Sequence, residues 1–239
     1  MQVSSLITTV REDYTRDTNS DQYLWSDASL LRKFTEAERQ ACNRANLIYD
    51  DSTIEYTRIT LVEDQSSYDL SNKITTIENI IFDSDVVVKK TKEELDVLQP
   101  TWRTDTGMTD KTLYAVISGR KLRFNYVPDA VDAGSYVYLE VHRLPDVDIT
   151  SVSQEPEIPE EHQRDLIYWV LHECYKKQTA DTFDQEKSDY YLARFNEIFG
   201  PAVSARVRQH QFENPRSTHI RPIAYTQPTK TVTDFDYDT

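Results

Sequence analysis

Residues 25–62, WSDASLLRKFTEAERQACNRANLIYDDSTIEYTRITLV, change from the spacing of a helix to the spacing of strands. Up to Ile48 the apolar residues recur every three or four positions, which predicts an amphipathic helix with charged residues, Glu38 among them, on the opposite face. Ser26 is a suitable N-cap, and Trp25 precedes it at the staple position. After Asp50 apolar and polar residues alternate, as in residues 56–62, which predicts strands. The apolar stripe of the helix consists of Leu30, Leu31, Phe34, Ala37, Ala41, Cys42, Ala45 and Ile48.

The sequence that follows this helix has the spacing of a β-rich module. Alternation and turn residues predict further strands at residues 74–82, 86–89, 113–117, 121–127 and 136–144. A short helix over residues 91–98 interrupts them, because Thr91 and Glu94 form a capping box and Pro100 stops the helix. We therefore predict a compact antiparallel β-module over residues 51–150.

Helical segments flank this module on both sides. Apolar residues near the N terminus recur at helical spacing before the helix that Ser26 caps. On the other side, Pro159 suits the first turn of a helix, and Thr182 or Asp184 suits the N-cap of the next one. Gly200 then closes that last helix.

The predicted fold class is α+β. Residues 1–50 and 151–201 form a helical bundle of about four helices, into which the β-module is inserted. After Ala202 the apolar periodicity ends and prolines recur, so residues 202–239 are predicted to form an extended C-terminal arm.

Composition excludes several classes of function. The chain holds 27 Lys and Arg against 41 Asp and Glu, and its net charge of −14 repels DNA and anionic lipid. Only 4 glycines are present, which disfavours phosphate-binding loops and nucleophile elbows. The apolar runs are far shorter than the roughly 20 residues of a membrane span, and no signal pattern occurs, so we expect a soluble, unexported chain. Cys42 and Cys174 lie in apolar segments, where we expect reduced core residues.

No stretch has the spacing of a known catalytic or metal-binding motif. Residues 83–94 have the length of a calcium loop, but Val87 and Val88 occupy positions that need an oxygen ligand and a turn glycine. His162 and His172 lack the spacing that would place two metal ligands on one helix face. We therefore expect no cofactor, no metal and no enzymatic activity.

Two other function classes stay open at this stage. A metal-assisted hydrolase would use Asp83, Asp85 and His142. A carbohydrate-binding or receptor-recognition module would use Trp102 with Arg103, or the tyrosines of residues 136–138, as a platform for sugar rings. Aromatic residues are also ordinary components of strands, so this pattern alone does not decide between binding and packing.

The arm differs from the rest of the chain in charge. Residues 1–201 carry a net charge of −15, residues 202–230 carry +4, and residues 231–239 carry −3. Apolar residues are spaced through the basic part, which is the composition of a segment that lies extended on a partner, with arginines that pair with acids. We predict that the arm binds a neighbouring copy or another protein through Arg206, Arg208, Phe212, Arg216, Ile220, Arg221, Ile223 and Tyr225.

Four blocks of the sequence resemble the head-to-tail adaptor proteins of tailed bacteriophages. They include YLWSDASLLRKFTEAERQACNRANL at residues 23–47 and TWRTDTG at residues 101–107. RKLRFNYVPDA, with the nearby YLEVHRLP, forms the third block. The fourth is IPEEHQRDLIYWVLHECYKKQTADTFDQEKSDYYLARFNEIFG at residues 158–200. The likeness covers most of residues 1–200 and contains no catalytic signature.

The resemblance implies a structural protein of the virion. Such adaptors form a ring, usually of twelve subunits, beneath the portal of the capsid, and they join the portal to the next tail component. It implies that the helices form the ring body, that the β-module projects outward or toward the tail, and that the arm reaches the portal. Genome DNA would pass through the channel without specific binding, and assembly would take place in the host cytoplasm.

Overall fold

A computed structural model describes residues 1–19, 22–177 and 183–213 of the chain. Within these ranges the helices are α1 (Val3–Thr9), α2 (Asp27–Ala45), α3 (Ile54–Thr57), α4 (Lys92–Leu98), α5 (Glu160–Gln163), α6 (Leu166–Tyr175), α7 (Gln185–Phe199) and α8 (Ala205–Glu213). The strands are β1 (Ile48–Asp50), β2 (Arg58–Thr60), β3 (Tyr68–Asp69), β4 (Ile74–Phe82), β5 (Asp85–Val86), β6 (Val88–Lys89), β7 (Tyr114–Ser118), β8 (Lys121–Phe124) and β9 (Tyr136–Arg143). This mixture of helices and sheets confirms the α+β class.

Local sequence signals set the ends of several helices. The Ser26 hydroxyl accepts a hydrogen bond from the Ser29 amide at the start of α2. Both hydrogen bonds of the predicted capping box between Thr91 and Glu94 are present in α4. The Asp184 side chain caps α7 by accepting from the Lys187 amide, whereas Thr182 lies outside the described residues. These boundaries follow from residues within a few positions of each helix end.

One hydrophobic cluster lies between the helices of the two ends of the chain. It joins α1, α2, α6 and α7, and it buries the predicted apolar stripe except Ala45, which is exposed. The prediction that the helix extends to Ile48 is wrong, because α2 ends at Ala45, Asn46 caps it with a positive φ of 49°, and Ile48 lies in β1. α1 continues into a π-helical turn, Val10–Thr15, that ends at Arg16 with a positive φ of 53°. The helix predicted after Pro159 is divided into α5 and α6 by a short turn.

The β-module contains two sheets. In the first sheet β9 pairs with β4 on one side and with both β1 and β2 on the other, all antiparallel, and β5 continues beyond β4. The second sheet has the order β3-β8-β7-β6. Residues of both sheets form a second hydrophobic cluster, which includes Ile77, Leu122, Phe124 and Leu139.

The strand pairs of the module are antiparallel, as predicted, except that β6 and β7 run parallel. Parallel neighbours need a crossover connection, and the segment that contains α4 supplies it. The strand predicted at residues 56–62 is shortened to β2. Asp50 accepts hydrogen bonds from the amides of Ser52 and Thr53, and this turn leads into α3 instead of a strand.

The prediction that the arm is extended from residue 202 is wrong for its first part. Residues Ala205–Glu213 form α8, in which the Arg208 amide donates to the Ser204 carbonyl and the Val207 amide donates to the Ser204 hydroxyl. Ser204 is thus the N-cap of a helix that Pro201 separates from α7. Residues 214–239 of the arm lie outside the described residues.

Candidate interaction site

The residues proposed for a hydrolase do not meet. Asp83 lies in the turn between β4 and β5, and Phe82 beside it pairs with Val137 near the start of β9. His142 lies near the opposite end of β9, about 17 Å along the strand at the usual rise per residue. The His142 ring instead contacts the Glu78 carboxylate, with Nε2 and Oε1 3.0 Å apart. Residues 83–94 also form no loop around a cation, because they include β5, β6 and the start of α4.

A serine, a histidine and a glutamate do meet between α6 and α7. His172 Nδ1 is 2.9 Å from the Ser188 hydroxyl, and His172 Nε2 is 3.7 Å from a carboxylate oxygen of Glu173. Ser188 is fully buried, and its hydroxyl also donates to the His172 carbonyl 3.2 Å away. A substrate cannot reach this hydroxyl without separating the two helices, so the arrangement is a packing contact.

The side chains proposed for a sugar platform are only partly available. Trp102 is buried beneath α4, and its indole N–H donates to Asp96. The guanidinium groups of Arg103 and Arg123 lie 4.5 and 4.9 Å from the centre of its ring. Trp102 therefore holds the base of α4 in place and presents no ring to solvent.

The cysteines have the environment of core residues. Cys42 and Cys174 are both buried and unpaired. Burial raises the pKa of each thiol to about 12, so neither is a thiolate at neutral pH. Across the part of the chain that the structure describes, no group of three or more His, Cys, Asp or Glu side chains is placed to hold a metal ion.

α8 is the described part of the predicted arm, and it lies against the β-module. Phe212 is 5% exposed and belongs to the hydrophobic cluster between the two sheets. The guanidinium of Arg120 lies 4.5 Å from the centre of the Phe212 ring. The ring is therefore held by apolar contacts on one side and by a cation on another.

The end of α8 is tied to the turn between β7 and β8. The Gly119 amide donates to the Glu213 carboxylate at 2.7 Å, and the Gln209 side chain donates to the same oxygen at 2.7 Å. These hydrogen bonds, the one from Gln209 first and the one from Gly119 next, lower the pKa of Glu213. The carboxylate therefore stays ionised at neutral pH and holds the point where residues 214–239 begin.

The other end of α8 touches the helices. Arg208 donates to the Asn43 side chain on α2 at 3.3 Å and to the Val203 carbonyl at 3.4 Å. Arg206 and Val207 point to solvent. The remaining residues predicted to bind a partner, namely Arg216, Ile220, Arg221, Ile223 and Tyr225, lie outside the described residues.

A polar network centred on buried Asp50 and Arg143 joins the helices to the β-module where the chain crosses between them. Arg143, at the end of β9, donates to Asp50 and to Glu157, each at 2.6 Å. Burial opposes ionisation of Asp50, but hydrogen bonds from Thr53 and Arg143 outweigh it and lower its pKa to about 2. Asp50 and Arg143 are therefore both charged at neutral pH and form an ion pair.

Glu38 extends this network into α2. It is 1% exposed, and its carboxylate accepts hydrogen bonds from the amides of Glu157 and Ile158. Burial raises its pKa to about 7 despite these hydrogen bonds. The prediction that Glu38 lies on the polar face is wrong, although its position four residues from both Phe34 and Cys42 could have indicated burial.

Residues from the sequence blocks that carry the resemblance make structural contacts. Asp27 forms an ion pair with Arg11 at 2.8 Å at the start of α2. Arg143, from the segment HRLP, and Ile158, from the segment IPEEHQ, both belong to the network between the helices and the β-module. None of these positions faces a cleft with catalytic groups, so the motifs specify how the two parts of the fold are joined.

A comparison with protein families finds a match over residues 1–220 to the model described as SU10 adaptor protein. The chain belongs to this family of phage head-to-tail adaptors. The match includes the helices, the β-module and α8 of this adaptor. A comparison with curated proteins finds no match.

Membership of the family implies a component of a phage virion that interacts with other virion components, such as the portal and the tail. It agrees with a structural adaptor role. No helix among the described residues of the adaptor is long and apolar enough to cross a membrane.

Proposed function

We propose that this adaptor forms a ring that joins the portal to the tail and lets DNA pass through its channel. The family match over residues 1–220 carries the proposal. In this ring, residues 1–50 and 151–201 form the helical body, residues 51–150 form the β-module, and residues 202–239 form the arm. The protein acts by assembly and catalyses no reaction.

The arm supplies the contacts with the portal or with the neighbouring copy. α8 fixes where the rest of the arm begins, because Phe212 and Glu213 hold its end on the β-module. In this arrangement Phe212 and Arg208 contact their own chain, and Arg206 is free to contact a partner.

The charge of the chain fits a DNA channel. Residues 1–201 carry a net charge of −15, and like charge keeps passing DNA from binding tightly. The basic residues 202–230 have the opposite sign and complement acidic surfaces of neighbouring subunits. The ring multiplies each such contact, because every subunit contributes an arm. The assembled ring is located at the head-tail interface of the virion after assembly in the host cytoplasm.

Native mass spectrometry, with and without the cognate portal protein, tests the proposal. The full chain is expected to form a closed ring of twelve copies and to bind the portal. A chain that ends at Glu213 keeps α8 and is expected to retain the circular dichroism spectrum and melting temperature of the full chain. It is expected not to bind the portal. A full-length protein that stays monomeric and does not bind the portal would contradict the adaptor proposal. Portal binding by the shortened chain contradicts portal binding by the arm and leaves the contact with the neighbouring copy as its only role.

A further inference from the structure

The outer face of the first sheet carries exposed aromatic residues. On β9, Tyr136 is 43% exposed and Tyr138 is 49% exposed, while Val137 and Leu139 between and beside them are buried. The two tyrosine rings have their centres 6.4 Å apart. Cross-strand pairing places Arg58, Tyr138, Ile81 and Val86 in one row. We call Arg58, Ile81, Val86, Tyr136 and Tyr138 the tyrosine face.

This face has the composition of a binding surface. A sheet face that only meets water is usually polar, whereas tyrosine and arginine are enriched where proteins bind one another. The Arg58 guanidinium lies 4.6 Å from the centre of the Tyr136 ring and forms no ion pair with a described carboxylate. It stacks on the tyrosine and extends the planar surface.

Acidic groups adjoin the tyrosine face. Glu140 lies two residues after Tyr138 on the same face and accepts a hydrogen bond from Asn79 at 2.6 Å. Asp83 is exposed in the adjacent turn between β4 and β5. Among the residues that the structure describes, neither of these two carboxylates forms an ion pair. The two carboxylates outnumber the single guanidinium of Arg58, so the surface attracts a basic segment.

The chain itself contains a segment of matching chemistry. Residues 214–230 carry Arg216, Arg221 and Lys230 and no Asp or Glu. They also contain three prolines together with Ile220, Ile223 and Tyr225. Proline-containing segments bind in extended form on surfaces lined with aromatic side chains, because proline fixes the backbone in advance and lowers the entropy lost on binding.

We propose that the tyrosine face of one subunit binds residues 214–230 of a second copy of this chain. Arm residues with apolar side chains would lie on Tyr136 and Tyr138, and the arginines would pair with Glu140 and Asp83. The arm and the face are different surfaces of the same chain, so repeating the contact from copy to copy closes a ring when the rotation allows. The inference rests on the proposed function, because it supplies a contact between neighbours in that ring.

Photo-crosslinking in the full-length protein tests this contact. The variant Tyr225→p-benzoylphenylalanine is prepared unlabelled and fully ¹⁵N-labelled, and the two forms are mixed before assembly and irradiation. We expect crosslinks from position 225 to peptides that contain residues 79–86 or 136–140, with about half of the crosslinked pairs of mixed isotope composition. Adding Tyr136→Ser and Tyr138→Ser is expected to lower the crosslink yield at least tenfold.

Tyr49→Ser is the matched control. Tyr49 is 48% exposed on the same sheet but pairs with His142 near the other end of β9, so its loss is expected to leave the yield unchanged. Glu140→Lys is a second test that leaves both tyrosines in place, and it is expected to reduce the yield by reversing the charge. Circular dichroism and melting curves show that each variant is folded.

Three results would overturn the inference. They are crosslinks confined to pairs of one isotope composition, crosslinks to other surfaces, and a yield that the Tyr136 and Tyr138 substitutions do not change. Glycan binding that these substitutions abolish would assign the face to a sugar instead. Portal binding measured on the same samples separates the two proposals. A ring that binds the portal without the crosslink contradicts this contact alone, whereas a protein that forms no ring and binds no portal contradicts the proposed function.

Discussion

At the scale of single residues, the buried charges decide how the two parts of the fold meet. Arg143 satisfies Asp50 and Glu157 at once, and Glu38 accepts two backbone amides of the segment that returns from the β-module. Burying such groups is costly unless each finds partners, and here each one does. The two kinds of carboxylate differ, because the pKa of Asp50 falls to about 2 while the pKa of Glu38 rises to about 7.

Glu38→Gln is predicted to remove part of the pH dependence of stability. The folded-state pKa of about 7 lies above the ordinary value of 4.5, so the folded protein binds the extra proton and this group's contribution to stability falls as pH rises through 7. Glutamine keeps an oxygen for the two amides and carries no charge. Urea unfolding at pH 8 is expected to show a gain on the order of 1–3 kcal/mol, and unfolding at pH 5 little change.

Glu36→Gln is the control for this prediction. Glu36 lies on the same helix but is exposed, so its removal is expected to leave the pH profile of stability unchanged. A Glu38→Gln protein with the same change in stability between pH 5 and pH 8 as the original protein would contradict the prediction.

At the scale of elements, α8 depends on its docking. It has nine residues, fewer than the roughly 12–15 that an isolated helix needs to be even marginally stable in water. Phe212 is its only buried residue. Contact with the β-module therefore supplies most of the stability of the helix, and the sequence of the helix supplies little.

Phe212→Ala is predicted to release α8. Loss of the buried ring is expected to lower the free energy of unfolding by about 2–4 kcal/mol and to speed amide hydrogen exchange in Ala205–Glu213. Val207→Ala is the control on the same helix, since Val207 is 47% exposed, and it is expected to leave both quantities nearly unchanged. Unaltered exchange in the Phe212 variant would show that other contacts hold the helix.

At the scale of the whole molecule, two hydrophobic clusters are joined by a polar crossing. One cluster lies among α1, α2, α6 and α7, and the other lies between the sheets. The chain crosses between them near Asp50 and again after Arg143, so the ion pair between these residues ties the two crossings together. The orientation of the β-module on the helices depends on this ion pair between Arg143 and Asp50.

Arg143→Ala is predicted to weaken the whole molecule. It leaves Asp50 buried without its partner, and the expected loss is about 3–5 kcal/mol of unfolding free energy in urea. Arg39→Ala breaks the exposed pair with Asp148 and is expected to cost less than about 1 kcal/mol. Equal losses in the two variants would contradict the assignment of the joining role to Arg143.

The features that depend on neighbouring residues in the chain could be predicted from the sequence. The start of α2, the capping box of α4, the cap of α7 and the limits of β4 all follow from side chains within a few residues, and the charge contrast between the body and the arm follows from composition. The burial of Trp102 and the docking of a helix from the first part of the arm through Phe212 follow instead from the packing of distant segments. These outcomes depend on contacts between residues far apart in sequence, such as Gly119 and Glu213. The spacing of residues along the chain does not specify which distant segments come into contact.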